Sequence, residues 1–176
     1  MPIEVRREQV LDAALRLICE RGYAAANMEA IARETGVAKT VVYEAYGTRE
    51  RLLRALLERE EMELLASLEV PPSAGLLEWV EHGLRAVRAN PAEWRLLLAP
   101  AEGTPDMVRE HLESGRAVVL THLRRLLAPL RPPDLELAAI SLLAVAERAA
   151  VDVLDGRDPA RWVEFARRML RPRLPA

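Results

Sequence analysis

From Pro2 to Arg21 the apolar residues Val10, Ala13, Ala14, Leu17 and Ile18 recur at i, i+3, i+4, i+7 and i+8. That is the spacing of one helical stripe, which must pack on something. Gly22 ends the helix, and the pattern then shortens. Asn27 is a good N-cap, Ile31 and Ala32 give the apolar side of a helix that stops at Thr35 and Gly36, and Val37 re-enters the core. A second short helix, from about Ala38 to Tyr46, places Val42 and Tyr46 on one face while Lys39, Thr40 and Tyr43 point elsewhere. Gly47 closes it. Thr48 caps a longer helix reaching about Leu68 on Leu52, Leu53, Leu56, Leu57, Leu64, Leu65 and Leu68. The acidic run from Glu58 to Glu63 in its middle predicts a solvated face, and Val70-Pro71-Pro72-Ser73 breaks it.

Beyond the break no period-two alternation is sustained, so the pattern predicts helices only. Residues 74 to 89 set Glu78, Glu81, Arg85 and Arg88 opposite a wide apolar arc that includes Trp79. Asn90-Pro91-Ala92-Glu93 combines a cap, an N1 proline and a capping-box acid. Thr104-Pro105-Asp106 starts a helix to about Leu127, with Val108, His111, Leu112, Val118, His122 and Leu123 along one face. The segments Asp134 to Leu154 and Asp158 to Leu170 are the most apolar, the first rich in small residues and the second striped by Trp162, Phe165, Ala166, Met169 and Leu170. The fold class is therefore all-α. Stripes on two consecutive terminal helices suit a four-helix bundle formed with a second copy. The residues expected at that interface are Leu142, Ala146, Ala149, Val153, Trp162, Phe165 and Met169.

Composition narrows the function. With 51% hydrophobic residues in 176, the chain can bury a real core. No apolar run approaches the roughly 18 residues of a membrane span, and MPIEVRRE has no apolar signal region, which predicts a cytoplasmic protein without a membrane partner. Cys19 is the only cysteine, so an intrachain disulfide and a cysteine-rich metal site are excluded; it is expected to be a buried small apolar residue. Net charge is -2, and Met1 to Glu60 holds ten basic and ten acidic residues. Any binding of DNA must then use a locally arranged positive face and two copies. Lys39 is the only lysine, and with many Pro, Ala and Leu this suggests a high-GC, thermophilic bacterial source.

Helix, Gly-containing turn, helix over Asn27 to Leu53 is the pattern of a helix-turn-helix reader, whose second helix enters the major groove. Residues Arg7 to Leu53 resemble the N-terminal DNA-binding domain of the TetR family of bacterial transcriptional regulators. The likeness runs through Val10, Leu11, Ala13, Ala14, Leu17, Gly22-Tyr23, Ile31-Ala32, Gly36-Val37, Tyr43, Tyr46, Arg49-Glu50 and Leu52-Leu53. Ala38 stands where the family usually has a Ser cap, and Ala45, beside Glu44, where it commonly has His or Tyr. The resemblance implies an N-terminal three-helix helix-turn-helix domain over residues 1–47. It also implies a larger C-terminal helical ligand-binding and dimerisation domain over residues 48–176. A homodimer, a double-stranded DNA operator and a small-molecule effector would be the partners.

In this setting Lys39, Thr40 and Val41 are placed to reach base edges, Lys at guanine and the Thr and Val methyls at thymine. Tyr43 and Arg49 look like phosphate contacts, and the caps Asn27 and Thr48 complete the expected DNA-binding set. For an effector cavity the candidates are Met62, Trp79, His82, Trp94, Met107 and His111, whose character favours an apolar or amphipathic molecule. His111 and His122 are too far apart along their helix to share a metal, and no HExxH motif, nucleophile-base pair or phosphate-binding Gly loop occurs. No metal, cofactor or enzymatic activity is expected. The competing reading is a helical small-molecule-binding or scaffold protein with weak or no specific DNA binding, motivated by the balanced charge, Ala38, Glu44 and Ala45.

Overall fold

A computed structural model describes residues 3–68, 71, 74–98 and 104–169. They form helices α1 (Ile3–Arg21), α2 (Met28–Thr35), α3 (Lys39–Tyr46), α4 (Arg49–Ser67), α5 (Leu76–Ala89), α6 (Pro91–Leu98), α7 (Asp106–Leu127), α8 (Leu135–Leu154) and α9 (Ala160–Met169). Short 3₁₀ turns at Tyr23–Ala25 and Ala128–Leu130 complete the elements, and there is no strand among the described residues. The all-α expectation holds. The break at Val70-Pro71-Pro72-Ser73 lies outside the described residues apart from Pro71, as does Leu170 at the end of the last stripe.

The chain divides into two compact units, Met1–Glu63 with Ala92–Ser114, and Leu64–Pro91 with Gly115–Ala176. In the first, the α1 stripe of Val10, Ala13, Ala14, Leu17 and Ile18 is buried against Ile31, Val42 and the α4 leucines Leu52, Leu53, Leu56 and Leu57. Leu96 of α6 and Val108 of α7 join this cluster, so the small three-helix core is completed from later in the chain. The Tyr23 hydroxyl donates to the Leu96 carbonyl (3.4 Å), and burial pushes its phenol well above the ordinary tyrosine range. Cys19, expected inside, is exposed. It sits in the last turn of α1, where its thiol reaches the Ala92 carbonyl at 3.4 Å.

The acidic run of α4 is not uniformly solvated either. Glu60 is 1% exposed, because it continues the inward stripe Leu53, Leu57, Leu64 rather than the outer face. Its Oε1 accepts from the Arg59 guanidinium (2.6 Å), which also holds Glu8 (2.9 Å) and Asp12 (2.8 Å) on α1, while its Oε2 has no partner among the described residues. Burial raises the Glu60 carboxyl above its ordinary 4.5, against the pull of Arg59. A raised folded-state value means that its contribution to stability is fully present below the unfolded value and lost as the pH rises through the folded one. Glu60→Gln should therefore melt at least as high as the parent at pH about 8 and show a flatter fall in Tm between mildly acidic and alkaline pH. Thermal melts across that range check this, and superimposable pH profiles would contradict it.

In the second unit α5 packs on α8 and α9. Its apolar cluster comprises Trp79, Leu123, Leu127, Ala139 and Leu143, flanked by Leu142 and Ala146. Buried Asp152 ties the α8–α9 corner together, accepting from Arg157 (3.0 Å) and from the Trp162 indole (3.2 Å) and pairing with Arg148 (2.8 Å). Arg167 of α9 reaches Glu81 of α5 at 3.1 Å.

This packing divides the residues expected at the interface between the inside and the outside of the unit. Ala149 (4% exposed) and Val153 (8%) are buried inside the unit, and Leu142 and Ala146 lean on its cluster, so that face of α8 is already used. The exposed apolar residues of α8 are Leu137, Ile140 and Val145, with Ala144 between them, a stripe at i, i+3, i+7 and i+8 on another side of the helix. On α9, Phe165 and Met169 are exposed, while Trp162 is half-buried against Asp152. Val118 of α7, read into an inward stripe, is exposed as well.

Candidate nucleic-acid interface

The helix-turn-helix is built from short local rules. Asn27 Oδ1 accepts from the Ala30 amide (2.9 Å), satisfying one of the orphan donors at the start of α2. Gly36, with φ 69°, ends α2 in the left-handed region that L side chains avoid. Thr35 Oγ1 returns to the Ile31 carbonyl (2.9 Å), and only Gly36, Val37 and Ala38 lie between the helices. Ala38 caps α3 with backbone alone, the Val41 amide donating to its carbonyl at 2.9 Å.

The short α3 is amphipathic in the required sense. Val42 (0% exposed) and Tyr46 (6%) anchor it on the α1–α4 core, and the Tyr46 hydroxyl donates to the Arg7 carbonyl at 2.9 Å, with the Arg7 guanidinium 5.0 Å from the ring centre. Lys39, Thr40 and Tyr43 are exposed and Val41 is half-buried, so these four are carried together on an anchored helix. Ala45 packs on the core, and Glu44 is exposed. The Lys39 ammonium is not isolated: it pairs with Glu29 of α2 and stands 5.5 Å from the centre of the Tyr43 ring.

Thr48 Oγ1 accepts from the Arg51 amide (3.2 Å), so both caps use an acceptor inside the protein; the donors of an amide and a hydroxyl are what a phosphate requires. The Arg49 guanidinium is engaged inside the protein. Its Nε donates to the Ala26 carbonyl (2.8 Å) and its Nη2 to the Tyr23 carbonyl (2.5 Å), tying the α1–α2 connection to the start of α4. The carbonyls of the first residue of the 3₁₀ turn and of the residue that follows the turn are spanned by one guanidinium fork.

The six effector-site candidates are distributed over the two units. Met62 is exposed at 68%, Trp94 is buried with its indole N–H unpartnered among the described residues, and Met107 packs on the core of the first unit. His111 lies 2.9 Å from Glu61 Oε2 in the same unit. Trp79 and His82 belong to the second unit, where His82 Nε2 meets the Ser67 carbonyl at 2.7 Å. There Trp79 faces His122, ring centres 6.2 Å apart, and the His122 Nε2 is buried without a partner among the described residues. The nearness of His122 to Trp79 depends on how α5 meets α7, which no local pattern reveals. Glu29 was missed for a related reason, since its ten-residue separation from Lys39 is closed only by the turn.

Residues 10–56 match the family model of bacterial regulatory proteins of the tetR family. A Mycobacterium tuberculosis protein named an HTH-type transcriptional regulator is 34% identical over 95 residues, covering 51% of this chain; the chain spans about half the length (47%) of that relative. The crystal structure of a TetR-like transcriptional regulator from Rhodococcus sp. RHA1 superimposes with a TM-score of 0.80 at 26% identity, covering 94% of this chain and 93% of the other. AibR, solved in complex with isovaleryl coenzyme A and operator DNA, shares the fold with a TM-score of 0.73 at 21% identity over 95% and 98% of the two chains. Residues 10–56 thus carry the DNA-binding motif of the tetR family of bacterial regulatory proteins, and the chain shares its fold along nearly its whole length with a TetR-like transcriptional regulator.

Proposed function

We propose that this protein is a DNA-binding transcriptional regulator that acts as a repressor, binding a palindromic operator as a homodimer and leaving it when a small molecule binds. The observation that carries this reading is α3 itself. A helix of eight residues is too short to be stable alone, yet this one is held by Val42 and Tyr46 and presents Lys39, Thr40, Val41 and Tyr43 outward. Rigid presentation of a few side chains is what base reading in the major groove needs. Asn27 and Thr48 would contribute phosphate contacts beside it.

Because the first sixty residues carry balanced charge, one copy has little electrostatic affinity for a polyanion. The second copy would dock on the outer stripe of α8 and on Phe165 and Met169 of α9, covering the exposed apolar residues of these two helices. Occupancy of an operator by such a dimer suffices to repress, without a further contact to the transcription machinery.

For the effector, Trp79 and His122 in the second unit pair a large apolar surface with a buried ring nitrogen that lacks a partner among the described residues. That combination suits an amphipathic molecule whose polar group meets His122. AibR, solved in complex with isovaleryl coenzyme A and operator DNA, shows that this fold can hold an amphipathic molecule. The ligand shifts the operator equilibrium only by binding the non-operator arrangement more tightly. A cytoplasmic location goes with this reading. Selection of binding sites from a random pool of DNA duplexes tests it, with enrichment of an inverted repeat as the expected result.

A further inference from the structure

We propose that Glu29 is a specificity-determining residue of the DNA-reading head: it holds Lys39 in the free protein, so the ammonium is released only to sites that return more than a phosphate charge. This rests on the reading of α3 as the DNA-contacting helix.

The geometry is specific to the turn. Glu29 lies in the first turn of α2 and Lys39 at the first position of α3, and the Gly36 turn brings the carboxylate onto the ammonium. Both side chains are about half exposed, 54% and 51%, so the contact is open to competition from a ligand. The hydrogen bond from Lys39 keeps the Glu29 carboxyl below its ordinary range and lifts the lysine above its own, so both partners stay charged at any pH near neutral. Glu29 also has a second cation within reach. Arg33 is one turn further along α2, in the favourable order of acid before base, and its charge already acts on Glu29. On leaving Lys39, the carboxylate can therefore turn to Arg33.

The consequence follows from comparing what each kind of site offers. Mixed-sequence DNA presents Lys39 with phosphate oxygens, an exchange of one anion for another that gains little. A guanine presents N7 and O6, a contact worth roughly 1–3 kcal/mol of discrimination. With Glu29 in place, Lys39 stays paired on mixed sequences and opens on the right one. Without it, Lys39 adds a phosphate contact everywhere.

Because Lys39 is the only lysine, its side chain can be observed alone. In the full-length protein labelled at lysine Cε, the titration midpoint should fall in Glu29→Gln; an unchanged midpoint overturns the pairing. On a mixed-sequence duplex, Glu29→Gln should bind about two- to fivefold tighter at low salt. Its plot of log affinity against log salt should steepen by about 0.9, one extra phosphate contact. Both gains should vanish in the Lys39→Met background. Equal affinity and slope for wild type and Glu29→Gln overturn the inference alone. A gain that persists with Lys39→Met also overturns it, since Glu29 would then repel DNA without acting through Lys39. No binding by the wild type at any salt overturns the DNA reading and this inference with it.

Discussion

Glutamate introduced at both Ile140 and Phe165 should yield a folded monomer whose operator affinity is lower by about 10²- to 10⁴-fold, the gain that linking two binding heads ordinarily provides. Both positions are about half exposed, 47% and 50%, so charge there should cost the isolated fold little, whereas a carboxylate trapped between two apolar helices cannot stay hydrated. Sedimentation should show the monomer, melting should be nearly unchanged, and a gel shift on the selected site should show the loss. A control pair at Ala149 and Val153 should instead unfold the second unit, because those residues are buried within it. If the Ile140 and Phe165 variant stayed dimeric, the outer stripe of α8 would not be the interface.

Arg49→Met should lower the melting temperature sharply and abolish DNA binding together. The substitution leaves the Ala26 carbonyl without its donor, at about 1–3 kcal/mol if that carbonyl stays buried, while the Tyr23 carbonyl keeps the Ala26 amide (3.3 Å); each kcal/mol is worth about 2–4 °C in Tm in a chain of 176 residues. It also frees the α1–α2 connection from the start of α4, which tilts the reading helix. Arg49→Lys should rescue little, since one ammonium cannot span both carbonyls as the guanidinium fork does. A phosphate contact behaves otherwise: its loss leaves the melt unchanged and reduces the salt slope by about 0.9. Melting and salt titration on the same variant separate the two roles.

The parts of this molecule that follow from local rules were legible in its sequence. The helix starts at Asn27 and Thr48 each use the side-chain cap that residue type predicts, and Gly36 takes the left-handed turn. Val42 and Tyr46 bury the side of α3 that their spacing assigned to the core. What local rules leave open is the rotation of a long helix about its axis, where several faces are apolar enough to serve. Small residues along α8 permit close packing equally well inside a unit or between copies. The structure spends Ala149 and Val153 inside and leaves Leu137 and Ile140 out. Glu60 shows the same limit with the opposite sign, since its charge type argued for solvent and its position on the α4 stripe for burial. At the reading head, Arg49 was placed correctly at the start of a helix, but the carbonyls that occupy it come from a 3₁₀ turn that the pattern gave no reason to expect.

Selection from a random pool of duplexes by the full-length protein bears most directly on whether this chain reads DNA in duplicate through α3. The account predicts enrichment of an inverted repeat whose half-site centres lie about 34 Å apart, one helical turn, or a multiple of it. Substitution of Lys39 should relax the preference at a guanine within each half. A pool that emerges with no sequence enriched, or with a lone half-site as the tightest ligand, would contradict it.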